Sequence, residues 1–128
     1  HVIEHIRDIH AFVAELFRIL KPHGKLLIET PNSEALGRKY LGPNWFANEV
    51  PRHLILFSIN NLTTLASEHG LNWYHTSPKI ILNNIDYITE NTGKPSNKNK
   101  WKRLLARCYI WTPRYTKKGD IIHSVFTK

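Results

Sequence analysis

The sequence predicts an α/β fold, because a helical pattern is followed directly by a stop signal and a short apolar strand. Asp8 is suited to cap the first turn of a helix, and apolar residues then recur with a period of about 3.6 residues, at Ile9, Phe12, Val13, Leu16, Ile19 and Leu20. Pro22 cannot continue this helix, and Gly24 can adopt a positive φ, so the helix is expected to end there. Residues 25–30 are largely apolar, which is typical of a buried strand. Helix, stop and strand form half of a parallel α/β unit.

The remaining elements are predicted from local patterns further along the chain. Residues 31–51 form a loop-rich stretch, and an irregular segment of that length is typical of a lid or binding loop. Ser58 can cap a second helix that runs to His69 and stops at Gly70. The patterns further predict a strand at 71–77, a helix at 80–89, a polar linker at 92–100, a basic helix at 100–111 and a closing strand at 120–127.

Composition and charge narrow the class of protein. The 128 residues are 41% hydrophobic, which allows one domain with a packed core, and the single cysteine excludes an internal disulfide. No apolar run approaches the roughly 18 residues of a membrane-spanning helix, and no basic-then-apolar leader is present, so we expect a cytoplasmic protein.

Basic residues are concentrated in one segment of the chain. Residues 91–119 hold nine basic residues and no acidic one, whereas the rest of the chain holds nine basic and ten acidic residues. This imbalance favours a local anionic partner over general coating of nucleic acid.

Two patterns raise competing interpretations. His1, Glu4 and His5 match the H-x-x-E-H zinc-protease pattern, but so short a match arises easily by chance and no distal acidic ligand is evident, so we expect no metal. The basic helix at 100–111 either docks on an anionic membrane surface, with its tryptophans at the headgroup level, or packs its apolar stripe on the domain. The sequence leaves both interpretations of this helix open.

Six short segments together carry a resemblance to a known family. They are HVIEHI at 1–6, LKPHGKL at 20–26, ETPN at 29–32, Trp45, PRHL at 51–54 and LFS at 56–58. In this order they resemble the second half of a class I S-adenosylmethionine-dependent methyltransferase, of a broad subgroup that acts on small metabolites, quinone precursors and sugars. The resemblance covers residues 1–77 well and 120–128 more weakly. His23 stands where the family prefers glycine, and in a surface turn we expect little consequence.

The resemblance implies the C-terminal part of a Rossmann-like methyltransferase sheet. Residues 1–77 are then the core part, 78–119 a helical basic insert and 120–128 the last strand, which pairs antiparallel with the strand at 71–77. The family's glycine-rich cofactor loop is expected upstream of His1, so this chain alone is expected to bind the cofactor poorly. The strand at 25–30 would expose an edge, which could support self-association.

The resemblance also implies a function and its residues. It implies methyl transfer from S-adenosylmethionine to a small-molecule acceptor of the quinone or sugar type, in which the protein aligns the reactants and removes the acceptor's proton. The assigned residues are His1, Val2 and Ile3 as the cofactor wall, His5 and then His53 as the base, and Arg52, Trp45 and Phe46 for the substrate.

Simpler roles compete with two of these assignments. His5 could instead cap the following helix, and Arg52 could pair with Glu49 to brace the loop. The alternative function is a non-catalytic module that docks on an anionic membrane or nucleic acid through the basic insert, although no specific nucleic acid is predicted.

Overall fold

The computed structural model describes residues 1–49, 51–80, 111 and 116–128. Their helices and strands are, in chain order, α1 (Ile9–Ile19), β1 (Lys25–Pro31), α2 (Leu36–Leu41), α3 (Ile59–Glu68), β2 (Asn72–Lys79) and β3 (Ile121–Thr127). Two 3-10 turns, Ile3–His5 and Gly42–Asn44, precede α1 and follow α2. In this part of the chain, no helix has both the length and the apolar character needed to cross a membrane.

The three strands form one sheet in the order β1-β3-β2, and β3 runs antiparallel to both neighbours. Ser124 of β3 lies opposite Ile28 of β1 on one side and Thr76 of β2 on the other. β1 and β2 therefore run in the same direction, with α3 between them in the chain and β3 inserted between them in the sheet. This arrangement confirms the predicted α/β class and the antiparallel pairing of the last two strands.

The helix caps predicted from sequence are confirmed by their hydrogen bonds. The carboxylate of Asp8 accepts from the main-chain N–H of Ala11 at 3.0 Å, and the hydroxyl of Ser58 accepts from that of Asn61 at 3.1 Å. Each bond satisfies a main-chain donor that the first helical turn leaves without a partner. Gly70 follows α3 with a φ of 81°, a conformation that glycine adopts without a steric penalty.

The turn between α1 and β1 differs from the prediction in one respect. His23, not Gly24, has the positive φ, at 61°. Gly24 is needed for a different reason, because a Cβ at this position would lie 2.8 Å from the carbonyl oxygen of Lys21. A left-handed non-glycine residue costs about 1–2 kcal/mol, so the φ of His23 gives a reason to test the expectation that this residue has little consequence.

The main hydrophobic core lies between one face of the sheet and the helices α1 and α3. Its fully buried side chains include Ile122 and Phe126 of β3, Val13 of α1 and Leu62 of α3. On the opposite face of the sheet, Leu27 is 57% exposed. Among the described strands β1 pairs only with β3, but the Glu29 carbonyl oxygen of β1 accepts from the main-chain nitrogen of His1, so an open second edge of β1 stays a prediction. The self-association suggested by that edge stays a prediction.

The stretch 31–51, expected to be irregular, contains α2 and the turn Gly42–Asn44. The prediction is therefore wrong over these residues. Ala35 precedes α2 and provides no side-chain cap, so the usual sequence signal of a helix start is missing. The stretch also packs a small second core of Ala35, Trp45 and Ala47.

Most of the basic insert lies outside the described residues. This applies to residues 81–110 and 112–115, and hence to the predicted linker and nearly all of the two helices placed there. Trp111 is described and is 56% exposed. The insert's boundaries, its docking on an anionic membrane and the cytoplasmic location stay predictions.

Candidate active site

The candidate site forms where the turn Ile3–His5 meets the end of β1 and the loop that leads to α3. The main-chain carbonyl of Glu4 accepts hydrogen bonds from the N–H groups of Leu54 at 2.8 Å and Ile55 at 3.2 Å. These bonds hold residues 51–55 against the turn. Side chains from two segments that are far apart in sequence are thereby brought together.

Glu4 places a carboxylate inside the protein at this junction. Its side chain is fully buried, with Oε1 3.0 Å from Nδ1 of His1 and Oε2 accepting from the hydroxyl of Thr30 at 3.1 Å. A buried carboxylate is tolerated only when it is paired or hydrogen-bonded. Glu4 is thus fixed in position by partners on both of its oxygens.

His5 and His53, the two residues predicted as bases, lie side by side. Their ring centroids are 4.9 Å apart. Nδ1 of His5 lies 2.5 Å from the carbonyl oxygen of Arg52, and Nδ1 of His53 lies 2.8 Å from that of Ala47. Because a carbonyl can only accept, both Nδ1 atoms carry hydrogen, and in the neutral imidazole the lone pair then lies on Nε2. Within the described residues, neither Nε2 atom makes a hydrogen bond.

Two competing interpretations of this segment are settled by the geometry. His5 does not cap the following helix, since Asp8 fills that position. The H-x-x-E-H pattern needs His1 and His5 on one helix face, but the 3-10 turn comprises only Ile3–His5 and leaves His1 outside it. The structure instead places one ligand-type atom from each of Glu4, His5 and His53 within 4.8 Å of one another.

Arg52 forms an ion pair with Glu49, which is the simpler role that the sequence analysis gave for this residue. Its guanidinium lies 3.1 Å from the Glu49 carboxylate, and the two side chains are 74% and 50% exposed. Such an exposed pair contributes about 0–1 kcal/mol, so a bound anion can compete for the guanidinium. The proposed contact of Arg52 with substrate stays a prediction.

Trp45 and Phe46 lie in the small second core. Trp45 is 2% exposed and its indole N–H donates to the Asp120 carboxylate at 3.2 Å, while Phe46 is half-buried and packs edge-on at 5.0 Å. Trp45 therefore anchors its loop to the residue that precedes β3. Their expected role as a lid over substrate stays a prediction, and in this structure only Phe46 offers accessible ring surface.

The residues expected to form a cofactor wall differ in exposure. His1 and Val2 are exposed beside the site, and the main-chain nitrogen of His1 donates to the Glu29 carbonyl oxygen on β1 at 2.8 Å. Ile3 is 3% exposed and belongs to the main core. The side chains of His1 and Val2 fit a wall that a ligand could contact, whereas Ile3 could contribute only its main chain.

Asn32 has a role that sequence reasoning missed. It is buried, and its amide donates to the carbonyl oxygens of Gly119 at 2.9 Å and Lys117 at 3.3 Å, while its Oδ1 accepts from the N–H of Glu34 at 3.0 Å. These bonds join the end of β1 to the segment that enters β3. The available signal was the Pro-Asn pair directly after the strand, which marks a turn but not its distant partners.

Glu29, on β1 next to the site, has its negative charge stabilised by a lysine of β2. Its carboxylate accepts from the Lys79 ammonium at 2.7 Å across the sheet. This hydrogen bond lowers the pKa of the Glu29 carboxyl, and the charge of His123 lowers that pKa further. An anionic Glu29 therefore links β1 to β2 over the intervening strand.

Comparison with known families places this arrangement in context. The family model of a methyltransferase domain matches residues 1–76. The match covers more than half of the chain and includes Glu4, His5, Asn32 and His53. The chain therefore belongs to this family of methyltransferase domains, as its motifs predicted, and its fold is that of a part of such a domain. No curated protein matches the chain.

Proposed function

We propose that the chain serves S-adenosylmethionine-dependent methyl transfer to a small-molecule acceptor of the quinone or sugar type. The cofactor supplies a methyl group activated by its sulfonium. The protein then has two tasks, which are to align the acceptor and to take its proton. Membership in the methyltransferase domain family supports the transfer itself.

One observation carries the proposal of a base. His5 and His53 lie together, and each ring is oriented by a bond from Nδ1 to a main-chain carbonyl. A neutral imidazole held in this way presents its Nε2 lone pair in a fixed direction. Histidine is the side chain that most often removes a proton as a general base.

The roles follow from accessibility. His5 is exposed, so it is our first candidate to take the acceptor's proton on Nε2, and the half-buried His53 is the second. Arg52, on the same loop, would bind a carboxylate or phosphate of the acceptor in a bidentate manner. His1 and Val2 would contact the cofactor, with Ile3 contributing through its main chain.

The test is turnover in the protein extended upstream through the glycine-rich loop that the resemblance places before His1. A general base contributes about 100-fold or more to a rate, so His5→Gln is expected to lower kcat by about that factor, with His53→Gln as the second variant. His10→Gln, an exposed histidine on α1, is the matched control and should leave kcat unchanged. If neither variant lowers kcat by about tenfold, the base assignment is wrong.

A calorimetric titration tests the cofactor separately. S-adenosylmethionine is expected to bind the extended protein and to bind this chain weakly or not at all. Failure of the extended protein to bind it would contradict the proposed cofactor.

A further inference from the structure

We propose that Glu4, His5 and His53 form a binding site for one divalent transition-metal ion of the zinc class. The three residues offer one carboxylate oxygen and two imidazole nitrogens, with one ligand-type atom from each within 4.8 Å of the others. The inference concerns ion binding by this chain and does not depend on methyl transfer. It also differs from the H-x-x-E-H pattern, because the second histidine comes from the distant loop and not from His1.

The hydrogen bonds of the two imidazoles match those of metal-binding histidines. Such a histidine almost always donates its second ring N–H to a carbonyl or carboxylate, which fixes the tautomer and turns the other nitrogen toward the ion. His5 makes this bond to the Arg52 carbonyl oxygen, and His53 makes it to the Ala47 carbonyl oxygen. Both rings are thereby oriented with an Nε2 lone pair available.

The carboxylate is the third donor. Glu4 is fully buried, and its oxygens are approached by His1 Nδ1 and the Thr30 hydroxyl. An ionised carboxylate has about four lone-pair sites, so these two contacts leave capacity for an ion. A divalent cation would also compensate the negative charge that the fold places in this buried position.

The spacing requires only a small adjustment. With bonds of about 2.0–2.1 Å, tetrahedral ligands lie about 3.4 Å apart, so separations of up to 4.8 Å must shorten by up to about 1.4 Å. His5 is exposed and His53 is half-buried, so small shifts of these side chains that keep their bonds to the Arg52 and Ala47 carbonyl oxygens can supply that movement while Glu4 stays in place. Three protein ligands would leave a fourth position for water.

The donor set selects the kind of ion. Imidazole nitrogens suit Zn²⁺, Co²⁺ and Ni²⁺, whereas Mg²⁺ and Ca²⁺ prefer oxygen ligands alone.

A bound ion would also affect the proposed general base. An ion bound by both imidazoles would occupy the nitrogen lone pairs with which His5 or His53 would take the acceptor's proton. Zinc is therefore expected to inhibit the extended protein, if the base assignment is correct.

The experiment is a titration of this chain with Zn²⁺ in competition with a chromophoric chelator, and with Co²⁺ monitored by its visible absorption. We expect one site, with affinity lowered about 10-fold or more in both His5→Gln and His53→Gln. The double variant His10→Gln/His69→Gln is the matched control. It removes a second exposed imidazole pair, with ring nitrogens 3.1 Å apart, and should retain the affinity.

Three outcomes would overturn the inference. They are unchanged Zn²⁺ affinity in both site variants, loss of affinity in the control instead, and equal binding of Mg²⁺. Circular dichroism of each variant shows whether it folds. If His5→Gln does not fold, His53→Gln and His53→Ala test the same site from the loop side. Zinc binding and methyl transfer are measured on different forms of the protein, so either proposal can fail without the other.

Discussion

His23→Gly is expected to stabilise the chain, because this residue holds a left-handed conformation in the turn between α1 and β1. Its φ of 61° lies where a side chain crowds the main chain, and its imidazole is exposed. Glycine removes the steric cost at this position. The resemblance had marked the position, since the family prefers glycine there, and the structure supplies the physical reason.

The magnitude follows from two opposing terms. Left-handed backbone costs a non-glycine residue about 1–2 kcal/mol. Glycine also destabilises the folded chain by about 0.5–1 kcal/mol, because it has more conformational freedom to lose on folding. This entropic cost offsets part of the relief of strain. The net expectation is an increase of about 0.5–1 kcal/mol in the free energy of unfolding, or roughly 2–4 °C in Tm for a chain of this size.

The assay is urea unfolding of the chain, followed by circular dichroism, with His23→Ala and Gly24→Ala as controls. His23→Ala keeps the backbone strain and should not stabilise the chain. Gly24→Ala should destabilise it, because the added Cβ would lie 2.8 Å from the Lys21 carbonyl oxygen. Equal or lower stability of His23→Gly, or an equal gain in His23→Ala, would refute the backbone argument.

Two further predictions concern the contacts that hold the site's surroundings. Asn32→Ala should lower the free energy of unfolding by about 2–3 kcal/mol, because it leaves the buried Gly119 carbonyl without its hydrogen-bond donor. Urea unfolding measures this change, and a loss below about 0.5 kcal/mol would contradict the prediction. Lys79→Gln should raise the pKa of Glu29 toward its ordinary value of 4.5, as measured by NMR titration. Because the folded-state pKa is lowered, the bond stabilises the chain above pH 4.5 and its effect disappears as the pH falls through the folded-state pKa. The variant should therefore lose about 0.5 kcal/mol at neutral pH and nothing in acid, given how exposed both side chains are. An equal loss in acid would show that the ion pair is not the cause.

The candidate site shows how far sequence reasoning reached. The sequence proposes His5 and His53 separately as bases, one in the motif at 1–6 and the other in the motif at 51–54. That they lie together, and that main-chain carbonyls orient both rings, depends on the hydrogen bonds from Leu54 and Ile55 to Glu4. Asn32 stood within a recognised motif, but its partners at Lys117 and Gly119 lie far along the chain.

The sequence by itself determined the elements whose signals are local. Asp8 and Ser58 cap their helices, Gly70 ends one of them, and the apolar run after Gly24 forms a strand, because each of these depends on neighbours within a few residues. The helix α2 was missed because Ala35 provides no cap. Only the tertiary structure decided that β3 enters between β1 and β2, that Trp45 is buried against Asp120, and that the two histidines meet. These features depend on contacts between segments distant in sequence, and such contacts leave no periodic pattern in either segment alone.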